Sequence, residues 1–171
     1  AQKMLTCVGD DPAARLGALR AACAADTMNR DLCVPYAREE ERAGNDQAAV
    51  AVYLRFARAD TNNVSSWESV IRTARRLNAG GIVLNALRQL SRLEPGNPER
   101  AAALVDELFA EGRVQDGLSV LMPKVRAYPE NAHLLYLAGL YYSRQPGDEA
   151  RRTALGYLDR AVMTNDPIWR P

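Results

Sequence analysis

Apolar residues recur along the chain at intervals of three and four positions, the spacing that puts them on one face of a helix. Turn-forming residues interrupt this pattern at regular distances. No run of alternating β-branched residues bounded by hairpin turns occurs, so no strand is predicted. The pattern predicts an all-α chain with helices at about residues 11–25, 30–43, 46–59, 64–77, 81–93, 98–111, 114–127, 132–144 and 148–163.

The turn signals repeat with a period of 34 residues, as Pro95 and Pro129 show. The same shift superposes the apolar positions Cys33, Trp67, Ala101 and Leu135. A second turn splits each unit into two helices, which predicts a tandem array of helical hairpins. The predicted organisation is an N-terminal extension with a capping helix at residues 1–29, four hairpins at about 30–63, 64–97, 98–131 and 132–167, and a tail at 168–171 as the candidate start of a further helix.

Two prolines fall inside predicted helices, where proline removes a backbone hydrogen bond. Pro35 is harmless if its helix starts a few residues later. Pro123 lies too far inside its predicted helix for a late start to accommodate it, so a kink or an early break of the helix is predicted there.

The fourth hairpin carries the motif that most resembles a known family. Its first helix reads Leu135-x-x-Ala138-Gly139-x-x-Tyr142, and its second helix has Ala154, Leu158 and Ala161. This resembles the tetratricopeptide repeat, and Trp67 stands at that family's tryptophan position. Three residues depart from the family pattern, namely Glu40, Val83 and Gly117. Sel1-like hairpins and a non-repeat helical bundle are the alternatives.

The resemblance implies an α-α superhelix, a solenoid of about four hairpins whose first helices line a concave partner-binding groove. The implied groove residues are Arg38, Arg42, Arg72, Arg75, Arg76, Asp106, Phe109, Tyr136, Leu140 and Arg144. The arginines favour an acidic or polar extended segment, because a guanidinium forks onto carboxylates. The last repeats offer an apolar shelf of Phe109, Tyr136 and Leu140. The alternative for the arginines is a solvated helix face with i,i+4 pairs.

Composition argues against catalysis and against nucleic-acid binding. The 22 basic residues nearly balance the 21 acidic ones, and there is one histidine. No nucleotide-binding, metalloprotease or hydrolase motif occurs, so no enzyme activity, cofactor or metal is predicted. His133 is interpreted as a structural or surface residue, and Glu39-Glu40-Glu41 as a solvated run. No stretch approaches the roughly 18 apolar residues of a membrane span.

The three cysteines, Cys7, Cys23 and Cys33, lie near the start of the chain. Cys23 and Cys33 flank the predicted turn at Met28 and could face each other as a disulfide; small buried thiols are the alternative. Cys7 is then free or paired with either. A disulfide, a chain start without Met and an Ala/Arg-rich composition favour a periplasmic or other extracytoplasmic location over a cytoplasmic one.

The sequence therefore predicts a non-catalytic protein–protein interaction scaffold, an assembly or accessory factor of a bacterial envelope or secretion system. The expected partner is a protein or peptide, and the chain is expected to be a monomer or small oligomer. One alternative is a structural protein that self-associates through an exposed Tyr141 or Trp169. The other is a regulatory repeat domain of a larger protein.

Overall fold

A computed structural model describes residues 11–164 and shows helices throughout this range, with no strand in it. Cys7, Trp169 and the tail at 168–171, predicted as the candidate start of a further helix, lie outside the described residues. All nine predicted helices within 11–164 are present, with ends within one residue of those predicted. They are α1 Pro12–Ala25, α2 Arg30–Arg42, α3 Asp46–Ala59, α4 Val64–Arg76, α5 Gly80–Leu93, α6 Pro98–Ala110, α7 Val114–Ala127, α8 Ala132–Ser143 and α9 Asp148–Met163.

The chain divides into two compact units, residues 1–89 and 90–171. The first unit holds α1 to α4 and most of α5. Within it α1 packs on α2, α2 on α3, and α3 on α4. In the second unit α6 packs on α7 and α8, α7 on α8, and α8 on α9. Helices thus pack mainly on near neighbours along the chain, as in a hairpin repeat. The exact limits of the four repeats stay a prediction.

Small residues let the helices approach closely. A Cβ added at Gly139 in α8 would lie 2.6 Å from Leu158 Cγ in α9, so only glycine fits this crossing. A Cβ at Gly117 would lie 2.5 Å from the ring of Phe109, which explains why this position departs from the family's alanine. In the first unit the same purpose is served by fully buried alanines: Ala37, Ala49, Ala57, Ala74 and Ala86.

An asparagine precedes the first helix of each hairpin at the same 34-residue interval. The side chains of Asn29 and Asn97 accept hydrogen bonds of 3.1 Å from the amides of Asp31 and Glu99. Those of Asn63 and Asn131 accept bonds of 2.9 Å from the amides of Ser66 and Leu134. These bonds satisfy amides that have no partner inside the helix. The repeat is therefore visible in its caps as well as in its core.

The turns between the two helices of a hairpin repeat in the same way. Gly44, Asn78 and Gly112 stand 34 residues apart and have φ of 80°, 52° and 71°. The residue after each donates its amide to a carbonyl in the last turn of the preceding helix, as in the bond from Asn45 to Glu40 at 2.8 Å. This is the Schellman ending, which requires a left-handed residue and therefore favours Gly or Asn.

Replacing Asn63 with alanine is expected to destabilise the chain by about 1 kcal/mol, because α4 loses its side-chain cap. Asn63 Oδ1 accepts from both the amide and the hydroxyl of Ser66. Chemical denaturation followed by circular dichroism measures the change. Asn62→Ala is the matched control, since only the backbone amide of Asn62 is hydrogen-bonded here. Equal losses in both variants would show that the cap contributes nothing.

The predicted break at Pro123 does not occur, and α7 runs through this residue to Ala127. Pro123 is exposed, so water can hydrate the carbonyl of Ser119 that proline leaves without a partner. The late start that would make Pro35 harmless does not occur, because α2 begins at Arg30, as predicted, and contains Pro35 in its interior.

Candidate partner-binding hollows

Four of the five arginines predicted for the first unit line one open hollow of about 540 Å³, here called the arginine hollow. On α2 the lining positions are three and four residues apart, and on α4 they are mostly four apart, so each helix presents one face. The hollow is lined by Arg38, Glu41, Arg42, Ser65, Ser69, Arg72 and Arg76. Arg75, the fifth arginine, is exposed on α4 but does not line this hollow.

The Glu41 carboxylate joins three helices beneath the arginine hollow. Its Oε1 accepts hydrogen bonds of 2.6 Å from the hydroxyl of Thr73 and from Arg76 Nη2, both on α4. Its Oε2 accepts from the hydroxyl of Tyr53 on α3 at 2.9 Å, and Arg72 Nη2 lies 3.5 Å away. Thr73 and Tyr53 are buried. Glu41 therefore holds the first two hairpins together at the floor of the hollow.

These contacts shift the pKa values of Glu41 and Tyr53. Burial raises the pKa of Glu41, but hydrogen bonds from Thr73, Arg76 and Tyr53 outweigh it and lower the pKa below its usual range. Burial, together with the bond to the Glu41 carboxylate, raises the pKa of Tyr53 to about 12. The pair is thus a carboxylate and a neutral phenol at neutral pH.

The arginines of the hollow differ in how fully they are paired. Arg76 binds Asp46 Oδ1 through Nε at 2.9 Å and through Nη2 at 2.6 Å, in addition to Glu41. Arg42 forms an ion pair with Glu39. Among residues 11–164 no carboxylate lies within ion-pairing distance of Arg38. The hollow therefore contains both structural and uncommitted cations.

The interpretation of Glu39-Glu40-Glu41 as a solvated run is wrong. Glu40 is fully buried and accepts hydrogen bonds from Arg20 Nη2 at 2.8 Å and from Asn45 Nδ2 at 2.7 Å. Burial raises the pKa of Glu40, but these bonds and one from Tyr36 lower it overall. The side chain of Glu39 is only 14% exposed and pairs with Arg15 at 2.8 Å. All three carboxylates therefore bind side chains on neighbouring helices of the chain.

The predicted residues of the second unit are brought together only in part. Phe109 and Arg144 line a smaller hollow of about 150 Å³, the aromatic hollow, which is completed by Val114, Tyr141 and Gln145. Tyr136 and Leu140 do not line it, and both Phe109 and Tyr136 pack against the buried core of this unit. The shelf of Phe109, Tyr136 and Leu140 stays a prediction.

Tyr141, which was not predicted as a groove residue, packs beside Phe109. Its ring stacks on Phe109 with centroids 6.5 Å apart, and it meets the ring of Tyr142 edge-on at 5.1 Å. Tyr141 is half-buried, so the expectation of an exposed Tyr141 is wrong. The 34-residue spacing is interrupted near Gln145, where an insertion of three residues precedes α9 in the sequence just beyond this cluster.

His133 was not predicted as a site residue, although it joins the predicted Asp106. Its Nε2 lies 2.7 Å from Asp106 Oδ2, and its Nδ1 lies 3.1 Å from Glu99 Oε2. Glu99 and His133 stand 34 residues apart, at equivalent positions of the repeat, which is the signal that could have joined them. Burial lowers the pKa of His133, but the bonds to Asp106 and Glu99 outweigh it and raise the pKa overall.

The stability of the second unit is expected to fall as pH rises through the pKa of His133. A histidine whose pKa is raised by folding stabilises the fold fully below its unfolded pKa of about 6.5, and this stabilisation disappears above the folded pKa. Thermal unfolding between pH 5.5 and 8 measures the slope. His133 is the chain's one histidine, and His133→Gln is expected to flatten the dependence. An unchanged slope would contradict this assignment.

The Cys23–Cys33 disulfide predicted as one of two possibilities is present. It joins α1 to α2 with a Cα–Cα distance of 4.7 Å, and both cysteines are buried. Ion pairs from Arg15 to Glu39 and from Arg20 to Glu40 link the same two helices. Helix α1 is therefore fastened to the first hairpin by one covalent and two ionic ties.

Two other properties of the described range bear on chemistry. Within residues 11–164 there is no cluster of three or more His, Cys, Asp or Glu side chains placed to hold a metal ion. None of the helices in that range is both long and apolar enough to cross a membrane.

Hairpins that repeat every 34 residues, with small residues at their crossings, define a tetratricopeptide-repeat fold, which confirms the predicted all-α fold class. Neither protein-family models nor curated proteins match the sequence. Among solved structures, MamA is similar at 16% identity and a TM-score of 0.65, over 90% of this chain and 88% of MamA. A MamA fragment from Desulfovibrio magneticus RS-1 is similar at 14% identity and 0.63, over 91% and 86%. YrrB, described as a tetratricopeptide-repeat protein with an unusual peptide-binding site, is similar at 20% identity and 0.66, over 97% and 84%.

Proposed function

We propose that this chain is a non-catalytic scaffold that binds a segment of a partner protein. The observation that carries the proposal is the arginine hollow, where side chains from α2 and α4 converge on an open concave surface. The fold supports it, because hairpin repeats present extended concave surfaces suited to peptides. YrrB, which shares the fold, is described as having a peptide-binding site.

We further propose that the partner belongs to a bacterial envelope or secretion system and that the scaffold acts outside the cytoplasm. The Cys23–Cys33 disulfide supports this location, because such bonds persist in oxidising compartments and are rare in the cytosol. Trapping thiols with an alkylating agent in intact producing cells, followed by mass spectrometry, tests it. Alkylated Cys23 and Cys33 in the native cell would contradict the location.

Selection from a random peptide library tests binding directly. The whole oxidised chain is immobilised, and enriched peptides are mapped by NMR shift changes onto α2, α4, α6 and α8. The expected result is enrichment of a shared motif with shifts at the first helices of the hairpins. A fold-matched helical protein controls for adhesion. No enrichment over this control would overturn the scaffold proposal.

Self-association is the second candidate function, and the exposed face of α9 favours it. Leu155, Val162 and Met163 are 55%, 75% and 81% exposed. Allowing for the insertion, Leu155 and Val162 correspond to Val50 and Ala57 of α3, which are buried in the first unit where α4 packs on α3. A second copy of the chain would cover this apolar face.

Light scattering distinguishes the two candidates. For a self-associating protein, the mass should rise with concentration, and Leu155→Glu with Val162→Glu should return it to that of a monomer. Ala51→Glu, at an exposed position of α3, is the control. A monomer at all concentrations would remove the second candidate.

A further inference from the structure

The charges around the arginine hollow do not cancel. Four arginines line it, and Glu41 is the one carboxylate among the lining residues described. The nearby carboxylates Asp46 and Glu39 are already engaged, Asp46 by Arg76 and Glu39 by Arg42 and Arg15. Arg15 and the four lining arginines thus have three carboxylates between them, which leaves a positive excess on this surface. These carboxylates are Glu39, Glu41 and Asp46.

The excess falls on two particular side chains. Arg38 has no ion pair among residues 11–164, and Arg72 reaches Glu41 only at 3.5 Å, whereas Arg76 reaches it at 2.6 Å. The Glu41 oxygens also accept from Thr73 and Tyr53, so little of this carboxylate is left for Arg72. Just over half of the Arg72 side chain is exposed. Arg38 and Arg72 are therefore the cations free to meet a ligand.

The remaining arginine contacts hold the surface in shape. Arg76 is tied to Glu41 and to Asp46, which links α4 to the start of α3. A guanidinium engaged by two carboxylates gains little from a third and loses much if it leaves them. Arg76 is thus a positioning residue, although the sequence placed it with the binding arginines.

We infer, on the basis of the proposed scaffold function, that the arginine hollow binds an acidic segment of a partner protein, with two of its Asp or Glu carboxylates paired to Arg38 and Arg72. Planar guanidinium groups on facing helices suit carboxylates that alternate along an extended chain. Ser65 and Ser69, which also line the hollow, place hydroxyls where the backbone of such a segment would lie.

Peptide selection on three versions of the oxidised chain tests the inference: the wild type, Arg38→Glu with Arg72→Glu, and Arg75→Glu with Arg58→Glu. The control variant makes the same charge change at exposed positions outside the hollow. Wild type and control are expected to enrich peptides with two or more acidic residues. The hollow variant is expected to lose that enrichment.

Fluorescence anisotropy with one selected acidic peptide then gives the size of the effect. Its Asn/Gln counterpart is expected to bind at least about tenfold more weakly, and the hollow variant should weaken the acidic peptide by about 100-fold, since each lost charge-assisted pair is worth about a factor of ten. The control should stay within about twofold. Unchanged thermal midpoints of both variants show that the fold is intact.

The possible failures separate the inference from the function it rests on. Enrichment of peptides without acidic residues would overturn the inference and leave the scaffold standing. Equal weakening in the hollow and control variants would also overturn it, because the effect would then come from net charge alone. No enrichment by the wild type would overturn the scaffold proposal itself.

Discussion

Replacing both Cys23 and Cys33 with serine is expected to lower the free energy of unfolding of the first unit by about 3 kcal/mol. The bridge closes a short loop between residues 10 positions apart, and the chain-entropy treatment of a loop of this size gives roughly this value. Urea unfolding monitored by the fluorescence of Trp67 reports on this unit, since Trp67 is buried there. The reduced wild type should unfold at the same urea concentration as the variant.

Hydrogen exchange on the same variant locates the effect. Amides of α1 should lose protection first, because the covalent tie is gone and this helix is then held to α2 only by packing and by the ion pairs from Arg15 and Arg20. Cys7→Ser is the control and should leave the Cys23–Cys33 bridge in place. A double variant as stable as the wild type would contradict a stabilising bridge.

Replacing Glu41 with alanine is expected to cost a similar amount, about 3 kcal/mol. The loss leaves the buried hydroxyl of Tyr53 without its acceptor and removes one of the two acceptors near the Thr73 hydroxyl, the other being the Ser69 carbonyl. It also removes the carboxylate that Arg72 and Arg76 share. Glu41→Gln keeps an acceptor for the two hydroxyls and should cost less. Urea unfolding of both variants gives the two values.

An optical titration gives a second test of the same contact. The phenol of Tyr53 should ionise near pH 12 in the wild type and at lower pH in Glu41→Gln, where the neighbouring negative charge is absent. Because the pKa of Glu41 is lowered by folding, its stabilisation is present above its unfolded pKa and is lost as pH falls through the folded one. Equal stability of wild type and Glu41→Ala at neutral pH would contradict this role.

The helices could be predicted because their signals are local. The caps at Asn63 and Asn97 and the left-handed turn at Gly44 act over a few residues, and the 34-residue spacing repeats them. Pro123 misled the prediction because its effect depends on exposure. A sequence does not show whether the carbonyl that proline frees will meet water.

The arginine hollow could be predicted only as a group of residues. The 34-residue pattern brought Arg38, Arg42 and Arg72 to one face, and they do line one surface. It could not separate Arg75 from Arg76, which are adjacent in sequence, since their difference arises from where Asp46 and Glu41 lie. The burial of Glu40 was hidden for the same reason: its partner Arg20 stands 20 residues away on α1.

The apolar residues of the second unit show where the pattern fails. The sequence did not show that Tyr141 packs on Phe109, because α8 is apolar around most of its circumference. Such a helix offers no amphipathic signal to tell a core position from a ligand-facing one.

The near-neighbour packing of the helices also determines how the chain acquires its structure. The hydrogen bond from Arg30 to Ser66 spans 36 residues, about one repeat, and the Cys23–Cys33 bridge spans 10. Contacts this local correspond to a low contact order, for which folding takes microseconds to milliseconds. Within the first unit each hairpin can form on the helices before it, so the arginine hollow can be built progressively from α1 onward.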